Sequence, residues 1–399
     1  MVNPAQMTLP RLSQSPTDPA FVQNPYPFYD RARALGPLVW WEDYEKPAAT
    51  TYDAVNTILR DRRFGRQAPE PLAFAPHLAP FYAVEAHSML ELEPPRHTRL
   101  RGLVLRAFTS RRIAALGPEI EGLCHQLIDA FPADAFDLLP AYATPLPVII
   151  IARLLGVPET MAPDLLRWSN AMVSMYQARR TRKIEDAAVT ATQEFSDFLR
   201  GHVEKRRQTP ADDLITHLIA AEEDGARLST DELITTCILL LNAGHEATVH
   251  TLGNGVKALL EAGLGAEVLS DARAEHTVED ILRFDAPLHM FTRYAYEPIT
   301  LMGHDFQRGD QVACLLAAAN RDPAVYPEAA RLMATRPAKP QLGFGAGLHF
   351  CVGAPLARLE LKIALDCLLN RLPGLRLRGK PQYADVYHFH GLKSLWVTP

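Results

Sequence analysis

Two short segments carry residue types and spacings suited to chemistry. In the first, Phe344-Gly345-Ala346-Gly347-Leu348-His349-Phe350-Cys351-Val352-Gly353, two glycines precede a cysteine and a third follows it two residues on. Glycine takes positive-φ turns and lets backbone approach a flat ligand where a side chain would collide. Pro355 suits the first turn of a following helix, because the N–H it lacks would find no intrahelical partner there. Cys351 is therefore expected beside a helix N-terminus, where backbone N–H groups and the helix dipole stabilise a thiolate, the form that ligates metal. A cysteine taken alone reads as an inert buried thiol, and it is the ten-residue pattern that points to a ligand. Cys124, Cys237, Cys314 and Cys367 fit the inert reading. Five cysteines at wide spacings form neither a disulfide framework nor a paired metal set.

The second segment, Ala243-Gly244-His245-Glu246-Ala247-Thr248, interrupts an apolar run with a small residue, a glycine and an acid. Burying Glu246 without a partner would be costly, so it either meets polar groups across a helix interface or handles protons. Thr248 is one helical step, about 100 degrees, from Ala247 and faces elsewhere.

The elements that must position these segments are mainly helical. Ala54–Leu59, Ile113–Phe131, Thr144–Leu155, Asp186–Arg206 and Leu356–Leu369 carry apolar residues at three-and-four spacing. Ser229 and Glu232 form a capping-box pattern that opens a long apolar helix running to about Gly263. Short strands are expected at Leu38–Trp41, Ala48–Thr51, Thr292–Tyr294, Gln311–Leu315 and Ser394–Val397, giving small sheets beside a helical body. Arg66–Met89 is rich in proline and aromatics without periodicity, and reads either as a loop over a ligand or as a surface excursion.

No linker, low-complexity tract or repeat divides the 399 residues, so one domain over 1–399 is expected. A net charge of -5 supplies no basic footprint for nucleic acid. Met1–Pro19 lacks the basic and apolar segments of a signal peptide. Leu146–Leu155 and Ile238–Leu241 are too short or too interrupted to cross a bilayer, so a cytoplasmic protein without membrane contact is expected.

The cysteine segment matches, at every fixed position, the haem-binding loop Phe-Gly-x-Gly-x-His-x-Cys-x-Gly of the cytochrome P450 superfamily. The chain resembles that family from Asn24-Pro25-Tyr26-Pro27 to Gly391-Leu392-Lys393-Ser394-Leu395. The resemblance implies a mainly α fold with small β-sheets, roughly triangular, with the haem between the long oxygen-activation helix and the cysteine-loop helix. It implies haem b (iron protoporphyrin IX) with Cys351 as iron ligand, Phe344, Gly345 and Gly353 shaping the loop, and His97, Arg101, Arg293 and His349 meeting the propionates. Asp280 and Arg283 stand where the family has Glu-x-x-Arg. With Arg336 they are expected to form a buried structural network, although the shorter aspartate must reach farther. Ala243, Gly244 and Glu246 match the oxygen-activation pattern, whereas Ala247 replaces the usual threonine and removes a hydroxyl from the proton relay.

The activity implied is a bacterial-type haem-thiolate monooxygenase that inserts one atom of O2 into a small hydrophobic substrate, by hydroxylation or oxidative dealkylation. Its electrons would come from a ferredoxin or flavodoxin with its reductase, since no dinucleotide fingerprint or iron–sulfur cysteine set is present. Arg99, Arg106, Arg111 and Arg112 form either a docking face for that carrier or a solvated positive surface. A peroxide-driven haem oxygenase and a non-catalytic haem-based ligand sensor are the alternatives. The expected pocket comprises Phe74, Phe81, Tyr82, Met172, Met175, Leu240, Ala243, Leu288 and Phe291, each otherwise a plain core residue, with His289 or Glu246 orienting one polar group.

Overall fold

The capping box opens the longest helix, Thr230–Glu261. Ser229 N donates to Glu232 Oε2 at 2.9 Å, and Glu232 N donates to Ser229 Oγ at 3.2 Å, pairing two donors that a helix start otherwise leaves open. At the other end Gly263 takes φ 66°, which lets Gly263 N reach Leu260 O at 3.2 Å and Leu264 N reach Leu259 O at 2.9 Å. These two bonds close the last carbonyls in a Schellman arrangement.

The computed structural model describes residues 9–177, 180–221, 225, 227–270, 273–337 and 339–399; the N-terminal reading from Met1 lies outside them up to Thr8. Helices dominate: the expected segments fall in Tyr52–Arg60, Pro145–Leu155, Arg182–Gln208 and Ala354–Arg371. The helix expected over Ile113–Phe131 is instead two, Ser110–Ala115 and Gly117–Asp129. Pro118 lies in the first turn of the second and has no N–H to continue the preceding ladder. Arg66–Met89 contains a short helix, Ala79–Glu85, started by Pro80, which the lack of periodicity had hidden. The strand expected over Ala48–Thr51 is Lys46–Ala49, because Thr51 caps the next helix by accepting from Ala54 N at 3.2 Å. Ser394–Val397 divides between Leu392–Ser394 and Trp396–Thr398. Leu395 between them is bound instead to Asp137 Oδ1 through its N–H and to Leu138 N through its carbonyl, both at 2.8 Å. Among the described residues, no helix is long and apolar enough to cross a membrane.

The contacts divide the chain into two compact units, each assembled from separate stretches. The first comprises Met1–Leu72, Asn254–Cys351 and Gly379–Ser394. Its six-stranded sheet runs in the order Arg11–Leu12, Leu38–Trp41, Lys46–Ala49, Gln311–Leu315, Met290–Ala295, Phe64–Gly65. One apolar core joins Val55, Ile58 and Leu59 of the helix Tyr52–Arg60 to Val312, Cys314 and Ala346, so the cysteine loop is rooted in the sheet core. A second core gathers Phe28, Tyr29, Trp41 and Tyr387.

The other unit comprises Ala73–Gly253, Val352–Arg378 and Leu395–Pro399. It is helical apart from a three-stranded sheet of Arg376–Leu377, Trp396–Thr398 and Phe136–Asp137. Ala162–Val173 packs on Arg182–Gln208, and Gly117–Asp129 packs on Ala354–Arg371.

Candidate functional site

The cysteine loop is held by its own backbone and by glycine. Cys351 N donates to Phe344 O at 3.0 Å and Gly345 N to Leu342 O at 2.9 Å, around a 3-10 turn at Gly347–His349. Gly345 and Gly347 both take φ 69°. A Cβ on Gly347 would stand 2.3 Å from Leu59 O, so only glycine lets the loop lie against the helix Tyr52–Arg60. A Cβ on Gly345 would press the Phe291 ring at 3.3 Å. Gly353, by contrast, has φ -82°, which any residue adopts. Cys351 is half-buried, unlike the other four cysteines, which are buried. Burial pushes the Cys237 and Cys314 thiols up to about 12, as inert thiols require. The helix Ala354–Arg371 begins three residues beyond Cys351, with proline in its first turn.

Of the other groups expected at the cofactor, Arg293 lies in the same unit, on the strand Met290–Ala295. It is buried, its Nη1 donates to Thr292 O at 2.9 Å, and its guanidinium carbon stands 5.6 Å from the Phe291 ring centroid. His349 is in the loop's turn. His97 and Arg101 belong to the other unit, four residues apart on Arg96–Ala107 and so on one helix face. Among the described residues, Cys351 joins no cluster of three metal-ligating side chains. Iron in a porphyrin brings its remaining donors with it, so a single protein sulfur is enough to hold it.

Asp280 reaches further than its length suggests. Its Oδ1 accepts from Arg283 Nε at 2.5 Å and from Arg336 Nε at 2.8 Å, and its Oδ2 from Met333 N at 2.6 Å. Arg283 also donates to the carbonyls of Asn320, Ala329 and Arg331. Asn320 Oδ1 in turn accepts from Leu342 N at 2.7 Å, which ties the network to the start of the cysteine loop.

On the long helix, Glu246 is gripped by two imidazoles. Its Oε1 lies 3.0 Å from His250 Nε2 and its Oε2 3.3 Å from His245 Nε2. Burial alone would raise its carboxyl, but the hydrogen bonds and charge of His245 and His250 outweigh it and hold the group well below the usual carboxylate range. Position 247 brings no hydroxyl, and the donor of the neighbouring Thr248 is taken, its Oγ1 donating to Gly244 O at 2.8 Å. A Cβ on Gly244 would meet only Ile151 Cδ1, at 3.8 Å, so the glycine leaves open space. Ala243 is exposed on this otherwise largely buried helix.

The expected pocket residues fall into groups. Phe74 and Tyr82 lie 4.5 Å apart by ring centroid and Phe81 and Tyr82 5.3 Å, with Phe74 exposed and Phe81 buried. Met172, Met175 and Leu240 are buried in the same unit, Met172 Sδ accepting from Asn242 Nδ2 at 3.7 Å. Leu288 and Phe291 pack on the sheet core of the other unit. His289 is no pocket residue: it is fully buried, 2.8 Å from the Tyr29 hydroxyl, with the His390 ring at 4.4 Å. Of the arginine cluster, Arg99 is bound to Glu232 and to Arg227 O, and Arg112 to Ala107 O at 2.7 Å, whereas Arg106 and Arg111 are exposed. Sequence reasoning missed His250 as the partner of Glu246; an acid four residues before a histidine on one helix is the signal that would have found it.

Comparison with known proteins places this geometry in a family. The family model described as Cytochrome P450 matches residues 21–262 and 274–373. The chain is 38% identical over 394 residues to the cytochrome P450 monooxygenase PikC of Streptomyces venezuelae, covering 94% of this chain and 91% of that protein. It is 38% identical over 341 residues to the mycinamicin IV hydroxylase/epoxidase of Micromonospora griseorubida, covering 84% and 83% respectively. The crystal structure of P450BioI in complex with acyl carrier protein carrying hexadec-9Z-enoic acid superposes with a TM-score of 0.89 at 33% identity, covering 95% of this chain and 99% of that one.

Proposed function

The chain belongs to the cytochrome P450 family and is a monooxygenase of that family; on that premise we propose that it inserts one atom of O2 into a hydrophobic organic substrate, by hydroxylation or oxidative dealkylation. The observation that carries the reading is the cysteine loop, whose two positive-φ glycines and Cys351–Phe344 backbone bond shape the turn that presents the thiol. The family's cofactor is a haem-thiolate, and haem b is the form proposed here. When bound, it supplies the redox chemistry, its thiolate ligand favouring O–O cleavage as in this family generally.

The chain's own residues divide the remaining work. Cys351 holds the iron, and Phe344, Gly345 and Gly353 give the loop its flat approach. Arg293, His349, His97 and Arg101 offer cations and donors to the propionates, whose charge needs partners once buried. Glu246 manages protons beside Ala243 and Gly244, with Ala247 supplying no hydroxyl and Thr248 able only to accept, its donor being held by Gly244 O. Phe74, Phe81, Tyr82, Met172, Met175, Leu240, Ala243, Leu288 and Phe291 exclude water and bind the apolar substrate. A single catalytic domain over residues 1–399, acting in the cytoplasm, is proposed.

Bacterial cytochromes P450 work with redox partners, and a ferredoxin or flavodoxin with its reductase is proposed as this chain's supply. Arg106 and Arg111, both exposed, are the members of the basic cluster proposed to meet it. The missing hydroxyl at position 247 favours one second reading, a peroxide-driven oxygenase. Optical titration of the ferric protein with terpenoids, aromatic acids, fatty acids and steroids identifies the class that binds next to the haem. Turnover of that compound is expected with O2 and a ferredoxin–reductase pair; turnover with hydrogen peroxide alone would replace this reading by the second.

A further inference from the structure

Beyond the end of the helix Arg273–Phe284, three side chains able to ligate a metal converge inside the first unit. Asp285 follows that helix directly, His289 precedes the strand Met290–Ala295, and His390 arrives from more than a hundred positions away, just before Leu392–Ser394. They are 2%, 0% and 1% exposed, and one ring nitrogen or carboxylate oxygen of each lies within 4.8 Å of the others. The backbone fixes their approach. His390 N donates to Pro287 O at 2.7 Å, and Asn254 Nδ2 donates to the carbonyls of Asp285 at 3.2 Å and of His390 at 2.8 Å.

The hydrogen bonds around His289 decide which of its nitrogens can act. Tyr29 Oη donates to Tyr387 Oη at 2.9 Å, which uses its only proton. Standing 2.8 Å from His289 Nδ1, the same hydroxyl must accept there, so Nδ1 carries the ring hydrogen and Nε2 the lone pair. Nε2 is buried and has no hydrogen-bond partner among the described residues; the Ala286 carbonyl also approaches the ring, but not in bonding geometry at Nε2. A buried lone pair without a donor is costly. A metal ion satisfies it, and imidazoles that bind metal commonly donate their other N–H to an acceptor, as Nδ1 does here.

His390 and Asp285 are spaced like two ligands of one ion. His390 Nε2 stands 3.6 Å from Asp285 Oδ1, beyond hydrogen-bond reach. Two ligand atoms about 2.0 Å from a tetrahedral zinc ion are about 3.3 Å apart. Asp285 has the outer support of a metal-binding carboxylate: Tyr26 Oη donates to its Oδ1 at 3.0 Å and Tyr383 Oη donates to its Oδ2, while the Tyr383 ring stacks on His390 with centroids 3.7 Å apart. We propose that Asp285, His289 and His390 bind one zinc ion through two imidazole nitrogens and a carboxylate oxygen, at a site that does not involve Cys351. Zinc suits this mixed donor set, whereas calcium and magnesium take oxygen ligands. A water or the Tyr26 hydroxyl beside Oδ1 would complete the tetrahedron. Burial of all three side chains closes the ion off from substrate, so its role is structural: it clamps the start of the strand that carries Arg293 to the segment leading into Leu392–Ser394.

The test uses untagged, haem-loaded full chain produced in medium supplemented with zinc chloride and washed briefly with EDTA, which strips zinc from surface histidines. Elemental analysis is expected to find about one zinc per chain, and X-ray absorption at the zinc edge, which haem iron does not disturb, to show nitrogen and oxygen neighbours with the outer scattering of imidazole. His289→Gln and His390→Gln should each retain less than about a tenth as much zinc. Tyr29→Phe keeps all three ligands but removes the acceptor of the Nδ1 hydrogen, and should hold zinc at least about ten-fold more weakly. Free zinc at about a hundred times its dissociation constant should raise the thermal midpoint of metal-stripped wild type by about 3 °C, given 399 residues, and leave the two histidine variants unmoved.

Wild type that keeps no zinc after the wash would overturn the inference and leave the cluster a purely hydrogen-bonded one. Zinc retained equally in wild type and both histidine variants would place the ion elsewhere and overturn it as well. Should the histidine variants fail to fold, the zinc content and zinc-edge spectrum of wild type decide alone: one ion with imidazole ligands that Tyr29→Phe loosens supports the site, and a spectrum without imidazole removes it. The haem spectrum of the same samples reports on Cys351 separately, so neither result depends on the other.

Discussion

Replacing Asp280 by alanine should destabilise the protein by about 3–5 kcal/mol, the range for removing one partner of a buried ion pair. The local geometry supports that magnitude. Asp280, Arg283 and Arg336 are 2%, 2% and 8% exposed, so three charges depend on one another out of water. At charge separations near 4 Å, each Asp–Arg attraction is worth about 4 kcal/mol at an effective dielectric of about 20. Losing both would cost roughly twice that, but each guanidinium keeps three backbone carbonyls: Asn320, Ala329 and Arg331 for Arg283, and Pro327, Glu328 and Arg331 for Arg336. These acceptors solvate the stranded cations and bring the net cost into the lower range. With an unfolding entropy of about 2.1 cal/mol/K per residue, 399 residues lose about 4–6 °C of thermal midpoint. Asp280→Asn should fall between alanine and wild type, because the amide oxygen can still accept from both arginines but the amide nitrogen then faces the Met333 N–H, and the charge is lost. Asp280→Glu, although it restores the family's residue, inserts a methylene into a packed site and should cost about 1–3 kcal/mol. The assay is thermal and denaturant unfolding of the haem-loaded variants. An alanine variant within about 1 kcal/mol of wild type would refute the claim that this network is buried and interdependent.

Burial pushes the Glu360 carboxyl up from 4.5 to about 8, so across that interval the folded chain holds a proton that the unfolded chain has released. Stability should then decline as pH rises from about 4.5 to 8 and level off above; Glu360→Gln should match wild type near pH 4.5 and exceed it by a few kcal/mol at pH 8 in denaturant titrations. Gly347→Ala combines φ 69° with a Cβ 2.3 Å from Leu59 O, and should lower the thermal midpoint and impair haem uptake, whereas alanine at Gly353, with φ -82°, meets no backbone-angle penalty. Ala247→Thr should raise product formed per reducing equivalent if proton delivery limits the native chain, and unchanged coupling would remove the relay explanation. Charge reversal at Arg106 and Arg111 should slow reduction at low ionic strength; a rate indifferent to both charge and salt would place the electron carrier elsewhere.

Features written in local chemistry were legible in the chain. Ser229 and Glu232 marked the start of the long helix because a capping box needs only four consecutive residues, and Gly263 its end because only a left-handed residue closes those carbonyls. The cysteine loop was legible because Gly345 and Gly347 are required by backbone conformation. What escaped depended on competition between neighbouring demands. Ile113–Phe131 kept its apolar period across Pro118, so periodicity alone ran through the break. Leu395 looked like part of one strand, but its backbone is taken by Asp137 and Leu138. His289 read as a polar group for substrate, yet burial and the Tyr29 hydroxyl enclose it; burial first, and then the charge of His390, keep its imidazole well below the usual range. The reach of Asp280 depends on where Arg336 and Met333 are delivered from more than fifty positions away, which no local pattern encodes.

Cys351 would supply the sulfur that holds the haem iron, and the optical spectrum of the ferric protein tests this most directly. Wild type, Cys124→Ala and Cys367→Ala should each take up haem with the signature of thiolate ligation, while Cys351→Ala should lose that signature and retain its fold. A thiolate spectrum that survives Cys351→Ala, or a folded wild-type chain that takes up no haem, would contradict the account.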